Sequence, residues 1–483
     1  MANKYKTLLK NSTTLAAGAF FSKALVFLLM PLYSSVMSTA EYGIADLVAQ
    51  TANLLFPLVT LGICQSVFRF SFGKKEDRKA AFSTGLLAMA AGLVLFFALI
   101  PLLKQITAIS DYMLLLGLYV FMYGLHTLCG SLLRGLGMVR AFASKGIICT
   151  AATLMFNILF LLVFKMGVVG YLLANICADF VTVIYMVWGG DLLDYVDFRR
   201  VRKDLIRDML KFSLPLIPTT VCWWIVNMSD RYLVTYMVSE AANGVYSMAY
   251  KIPNIMITLT GIFTEAWQMS LVNEENKGVK WGRFFTRIFD GFKSVMFIGA
   301  AGLILFIKPV SRLLARNDFY ESWKYMPVLI MACLFTGIVS FISDIYVAKK
   351  KSVYSLIDAV SGAALNIVLN LIFINWWGAM GAAIATLLSY FAVYIISTYM
   401  SLRCVGYRVN FTFTCINFGL LLLQSVLTIA EVPGAFIYSV VLFLVITVIN
   451  FRGMYASVTD LLAKRRGRTP TAEAKVSDSE PKG

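Results

Sequence analysis

Two stretches of this sequence carry polar residues at a spacing that gathers them on one side of a helix. At 100° per residue, Asp46, Gln50, Asn53, Pro57, Thr60 and Cys64 fall within an arc of about 80°. Ser247, Lys251, Asn254, Thr258, Gly261 and Glu265 do the same, and each stands 201 residues after its counterpart in the first set. A third stretch places Ser213, Thr220, Asn227 and Arg231 on one face with Asp230 beside it. A fourth lines up Ser12, Ala16, Ala19 and Lys23. Lys and Arg donate charge-assisted hydrogen bonds to phosphate oxygens. Lys23, Arg231 and Lys251, together with the amides Gln50, Asn53, Asn227 and Asn254, are therefore the candidate binding set for a diphosphate or other anionic headgroup. Asp46, Asp230 and Glu265 balance those cations. The acids can hold the cations ready or bind Na+ or H+, so coupling to either gradient or to the membrane potential stays open. The bland alternative is helix packing through ion pairs such as Asp230–Arg231. Lys251 and Glu265 are too far apart to pair, roughly 21 Å along a straight helix.

These residues sit in long apolar runs. Of 483 residues, 59% are hydrophobic and 14% charged, against about 25% charged in soluble domains. Runs such as 94–103 and 437–449 are apolar on most faces, which fits spans of roughly 20 residues that satisfy their backbone as helices. The short alternating segments of a membrane barrel are absent. An all-α membrane protein of about fourteen helices follows, with spans near 12–33, 43–69, 80–101, 111–134, 145–164, 166–188, 211–237, 242–272, 284–308, 321–347, 353–375, 378–402, 411–429 and 433–451. Of the 43 basic residues, 33 fall in alternate loops and tails, and five, Lys104, Lys165, Lys308, Arg312 and Arg316, in the opposite loops. By the positive-inside rule both termini are cytoplasmic. The net charge of +17 then belongs to membrane orientation rather than to nucleic-acid binding, which needs a folded soluble patch.

The 201-residue offset also aligns MSTAEYGIADLVAQTANL at 37–54 with VSEAANGVYSMAYKIPNI at 238–255, Gly43 falling on Gly244. An even number of spans precedes the second copy, which makes this a parallel repeat. Residues 157–174 and 366–385 echo each other, with Gly167 and Gly170 resembling Gly378 and Gly381 at a tight turn. The expected organisation is an N-terminal lobe at 1–190, a linker at 191–210, a C-terminal lobe at 211–402, two further helices at 403–451 as an appendix, and a polar tail at 452–483. Leu205, Ile206 and Met209 among charges mark the linker as an interfacial amphipathic segment. Pro57, Pro215, Pro218 and Pro253 are expected to bend their helices, either to let each half gate or as static kinks.

No enzyme site emerges. The single histidine, His126, excludes a His-rich metal site and reads as a satisfied buried residue. Asp179, Asp344 and Asp358 are expected to pair with Lys293 or with neighbouring backbone. The eight cysteines contain no CxxC and read as small apolar residues. RGLGMVR at 134–140 lacks the spacing of a phosphate-binding loop. Neither metal nor cofactor is expected.

In PLYSSVMSTAEYG, the residues Pro31, Leu32, Glu41, Tyr42 and Gly43 fit a P-L-x8-E-Y-G pattern. Gly244, Tyr246 and Lys251, the 134–140 turn and the helix led by Asn157 add to it. In these features, over about residues 5–450, the chain resembles the polysaccharide-type lipid flippases of the multidrug/oligosaccharidyl-lipid/polysaccharide exporter group, which includes O-antigen, teichoic-acid and lipid II flippases. The resemblance implies two six-helix lobes around a V-shaped cavity. It also implies alternating access that carries an undecaprenyl-diphosphate-linked glycan to the outer leaflet of a bacterial or archaeal cytoplasmic membrane. Membrane lipids and polysaccharide assembly enzymes are the implied partners. The thin set of cavity arginines favours an oligosaccharide or teichoic-acid precursor over lipid II. A cation-coupled multidrug exporter of the same fold is the first rival. A membrane glycosyltransferase would need a large exposed catalytic loop, and an inert scaffold leaves the duplicated faces unexplained.

Overall fold

A computed structural model describes residues 29–71, 75–261, 263–264, 279–349 and 351–465. The described chain is all helical. In order, α1 is Thr39–Val59, α2 Ile63–Phe70, α3 Lys75–Leu103, α4 Met113–Gly135, α5 Val139–Asn157, α6 Gly167–Gly189, α7 Lys203–Ser213, α8 Leu216–Met237 and α9 Glu240–Ala249. Residues 254–261 are also helical. Then follow α10 Val279–Leu305, α11 Ile307–Leu314, α12 Met326–Ala348, α13 Ser352–Trp377, α14 Ala379–Leu402, α15 Phe411–Ile429 and α16 Ala435–Arg465. Among the described residues, eleven helices are long and apolar enough to cross a membrane, with a shorter apolar stretch at Ala435–Phe451. Large apolar side chains such as Val94, Trp188, Trp376 and Val448 lie on the outside of the bundle, where lipid would solvate them.

Both copies of the repeat begin in the same way. Ser38 caps α1, its hydroxyl accepting from the Glu41 N–H at 3.2 Å while the Glu41 carboxylate takes the Ser38 N–H at 2.8 Å, a full capping box. Ser239, 201 residues on, caps α9 by accepting from the Ala242 N–H at 3.0 Å. From these starts α1 and α9 cross each other, and the crossing point needs glycine on both sides. A Cβ on Gly43 would strike the Glu240 carbonyl, and a Cβ on Gly244 would strike the Thr39 carbonyl. Equivalent positions thus meet reciprocally, as they do across a two-fold interface.

The expected span at 43–69 is two helices. Leu61 and Gly62 adopt positive φ (51° and 63°), and Gly62 is the N-cap residue of α2. Pro57 lies inside α1, which ends at Val59. The expected span at 242–272 likewise breaks after Ala249, where Pro253 supplies no N–H and helix resumes at 254. The tight turns at Gly167 and Gly378 are present, both at positive φ (54° and 57°).

Part of the stretch read as linker is the separate helix α7. Its apolar side, Leu205 and Met209, is buried against α2, and the Ser66 hydroxyl donates to the Met209 carbonyl at 2.6 Å. The last two helices pack back against the rest of the bundle. α16 packs along α10. Buried amides fix the pair: Gln424 donates to the Ala301 carbonyl at 3.1 Å, and Asn450 to Asn417 at 2.5 Å. α16 also runs to Arg465, past its expected end at 451.

Candidate functional site

α1, α8 and α9 meet about 10 Å into the bundle from the Ser38 end, the rise of seven helical residues from Thr39 to Asp46. There the first predicted face becomes a closed knot. Asp46 is buried, and its Oδ2 accepts from Arg231 Nη1 at 2.5 Å and from the Ser247 hydroxyl at 2.7 Å. Gln50 donates to Oδ1 at 3.3 Å. The guanidinium carbon of Arg231 lies 5.0 Å from the centre of the Tyr250 ring. A buried carboxylate is tolerable only with such partners, because desolvation otherwise outweighs what it gains.

Asp230 is buried beside this knot with its own donors. Its Oδ2 accepts from Tyr246 at 2.6 Å, Tyr250 at 2.8 Å and Thr386 at 3.4 Å. Its Oδ1 accepts the backbone N–H of Arg231 at 2.9 Å. The Asp230–Arg231 pair weighed as the packing alternative does not form: the guanidinium reaches across to Asp46, 185 residues away, and tyrosine hydroxyls hold Asp230. Adjacent residues on a helix point 100° apart, which leaves the cation free to cross.

The other predicted residues divide by depth. Asn227 faces α14, its Oδ1 accepting from Tyr390 at 2.6 Å. Gln50 is half-buried and accepts from the exposed Asn53 at 3.2 Å. Asn254 is exposed. Lys251 is half-buried, its ammonium 5.9 Å from the Tyr42 ring centre. A cavity of 40 Å³ lies beside Arg231, lined also by Asn227, Tyr250, Asn254, Thr386 and Tyr390. It has room for about two waters, and Arg231 Nε, buried without a protein acceptor, borders it. Lys23 and Glu265 lie outside the described residues.

Sequence reasoning missed several members of this network. Tyr246, Tyr250 and Thr386 hold Asp230, Trp224 donates to the Gln50 carbonyl at 3.1 Å, and Tyr232 bonds Thr51 at 2.5 Å. Spacing had offered a hint only for Tyr246 and Tyr250, which lie four apart on one helix face. Elsewhere Asp179 pairs with His126 and Lys293 with Asp290, not with each other as one option allowed.

Fold and site together define a polytopic helical membrane protein whose two sequence repeats touch at a glycine crossing and are tied there by buried charge. A family model described as Polysaccharide biosynthesis protein matches residues 8–267, more than half of the chain. The protein belongs to that family. An uncharacterized membrane protein of Methanocaldococcus jannaschii is 23% identical over 424 residues, covering 82% of this chain and 98% of its own. The fold is similar to that of the lipid II flippase MurJ in an inward closed conformation, with a TM-score of 0.69 and 15% identity over 94% of this chain and 99% of that one. It is also similar to an inward-facing multidrug resistance transporter of the MATE family, with a TM-score of 0.60 and 16% identity over 82% of this chain and 94% of that one.

Proposed function

We propose that the protein is an alternating-access transporter that moves a polyprenyl-diphosphate-linked oligosaccharide or teichoic-acid precursor from the cytoplasmic to the outer leaflet. One observation carries the proposal. Equivalent positions of the repeat are closed at the Ser38 end by the Asp46–Arg231–Ser247 knot, while the deeper residues of the same faces, Asn53, Lys251 and Asn254, stay half-buried or exposed. A polar face closed at one end and open further along suits a headgroup path. The glycan and diphosphate would travel along it, and the lipid tail would remain in the bilayer. Lys251, Arg231 and Lys23 would meet the phosphates, while Gln50, Asn53, Asn227 and Asn254 would meet sugar hydroxyls. Membership of the polysaccharide biosynthesis family supports a glycan-linked substrate. In this reading the chain catalyses no bond chemistry.

The same reading has fourteen spans. Two six-helix lobes occupy 1–190 and 211–402 around the linker at 191–210, the last helix pair follows, and both termini are cytoplasmic in a bacterial or archaeal inner membrane. Opening of the Ser38 end would then expose the headgroup outside. Polysaccharide assembly enzymes would supply and receive the lipid.

A lipid II-type precursor is the second reading. It is favoured by likeness to MurJ over 94% of this chain and 99% of that one. Reconstitution in liposomes with labelled polyprenyl-diphosphate glycans of several headgroups, lipid II among them, tests both. Protein-dependent movement of one headgroup class identifies the cargo; movement of none of them overturns the flippase assignment.

A further inference from the structure

We infer that α7 carries a binding site for an anionic phospholipid, with the lipid phosphate on Lys203, Arg207 and Lys211 and the acyl chains along Ile206, Leu210 and Leu214. These six residues line one open hollow of 550 Å³. The three cations and Leu214 are exposed, and Ile206 and Leu210 are half-buried.

Helical spacing builds the site. Positions 203, 207 and 211 are successive i, i+4 neighbours, so the cations form a row about 12 Å long. Positions 206, 210 and 214 form a second row about 60° round the helix. The sequence pattern expects Leu205, Ile206 and Met209 to meet the membrane surface. The structure buries Leu205 and Met209 against α2 instead. The face left for lipid is the next one round, and it is the face that carries the cations.

Charge pairing separates these cations from other basic residues of the same stretch. Arg200 Nη1 lies 3.9 Å from Glu76, and Arg202 Nη2 lies 3.6 Å from Asp77, both acids in the first turn of α3. Among the described residues, Lys203, Arg207 and Lys211 make no ion pair. The acids of α7 itself, Asp204 and Asp208, lie beyond the cation row on the side away from Leu210. Asp204 has Arg202 at 4.0 Å. Charge that only orients a chain in the membrane needs no alignment. Three aligned cations beside an apolar row match a phosphodiester with chains attached, because Lys and Arg donate charge-assisted bonds to phosphate and interfacial helices gain from acyl contact as well.

The position suits such a ligand. α7 leads through Leu214 and Pro215 into α8, and exposed Phe212, Leu214 and Leu216 present apolar surface at that junction. Lys203, Arg207 and Lys211 lie on none of the repeated polar faces, so the occupant is a lipid of the surrounding leaflet rather than a transported one. A lipid bound there rests on a helix tied to the first repeat. Ser66 of α2 bonds the Met209 carbonyl at 2.6 Å, and Gly62, between α1 and α2, faces Ser213.

Native mass spectrometry of the full chain, in neutral detergent with equimolar phosphatidylglycerol and phosphatidylcholine, counts the lipids retained. Wild type should keep phosphatidylglycerol in preference. Lys203→Gln with Arg207→Gln and Lys211→Gln should weaken that binding at least about tenfold. Lys203→Arg with Lys211→Arg should retain it. Lys351→Gln with Arg403→Gln and Arg408→Gln removes the same charge from other loops and should leave it unchanged. All substituted positions are exposed, so melting temperatures should stay near that of wild type. Soluble glycerol phosphate, a headgroup without chains, should not displace the lipid. Equal retention of the two lipids, full binding by the α7 triple variant, an equal loss in both triple variants, or displacement by glycerol phosphate overturns the site. The measurement needs no transport and holds whatever the cargo is.

Discussion

Asp46 accepts a hydrogen bond at 2.7 Å from Ser247, the residue that holds Asp46's own position in the second copy of the repeat. The backbone crossing beside it is reciprocal, Gly43 against the turn of Gly244 and the reverse. The chemistry is not. One copy supplies the acid and the other a hydroxyl, and Arg231 corresponds to Met30, so the cation comes from one side alone. The closure sets one buried ion pair and a reciprocal glycine contact within a buried apolar cluster that includes Tyr42, Ala45, Ala49 and Tyr246.

Removing half of the ion pair should cost more than removing all of it. Arg231→Ala leaves Asp46 buried without its cation, and breaking a buried pair this way costs about 3–5 kcal/mol. The double variant Arg231→Met with Asp46→Asn should recover much of that loss, because neither side then strands a charge. Thermal unfolding of the three proteins in detergent checks this. Equal losses in single and double variants would show that the pair is not the controlling interaction.

The glycine crossing predicts paired effects. Gly43→Ala and Gly244→Ala each force a methyl into the opposing carbonyl, and the backbone must shift at a cost of about 1–3 kcal/mol. Both should loosen the Ser38 end to a similar degree. Spin labels placed on either side of that end should report a longer distance in both variants.

Lys251 should matter to transport more than to stability. It is half-buried, with an aromatic ring 5.9 Å away as a loose neighbour. Lys251→Ala should lower the initial rate of headgroup translocation by at least about tenfold, the loss of one charge-assisted contact. The melting temperature should stay within a few degrees. Loss of fold without loss of per-molecule rate would make the residue structural.

At the Ser38 end, Lys308 donates to Glu431 at 2.7 Å and ties the turn between α15 and α16 to α11. This hydrogen bond, and then the lysine's charge, hold the Glu431 carboxyl below its usual range. A lowered folded pKa gives stability that is fully present above the unfolded pKa and is lost as pH falls through the folded one. The pair is solvent-exposed, so its effect is small and salt-sensitive. Glu431→Gln should therefore match wild type in acid and at high salt, and trail it slightly near neutrality in dilute buffer. Amide exchange at the 429–435 turn, followed against pH, reads this difference.

The polar faces were legible because a period of 3.6 survives in sequence: Asp46, Gln50 and Asn53 lie on one side of a real helix. The ends of α15 were legible too, since Asn410 caps it by accepting from the Phe413 N–H at 2.9 Å and the apolar run sets its length. The break at Leu61–Gly62 was not, because a left-handed residue inside an apolar run leaves no change of pattern. Pairing was the least legible feature. Asp46 reaches Arg231 across 185 residues, and His126 reaches Asp179 across 53. Helix packing decides such partners, and periodicity along one element carries no information about its neighbours.

The most direct test of alternating access is to lock the closed end and watch transport. Asn317 donates to the Ser34 carbonyl at 3.2 Å across that end, outside the charge knot. With the eight native cysteines replaced, Ser34→Cys with Asn317→Cys gives a pair that thiol cross-linking can bridge. Translocation of the lipid-linked glycan should stop on cross-linking and return on reduction, and the single-cysteine proteins should be unaffected. Undiminished translocation by fully cross-linked protein would contradict a cycle that opens the Ser38 end.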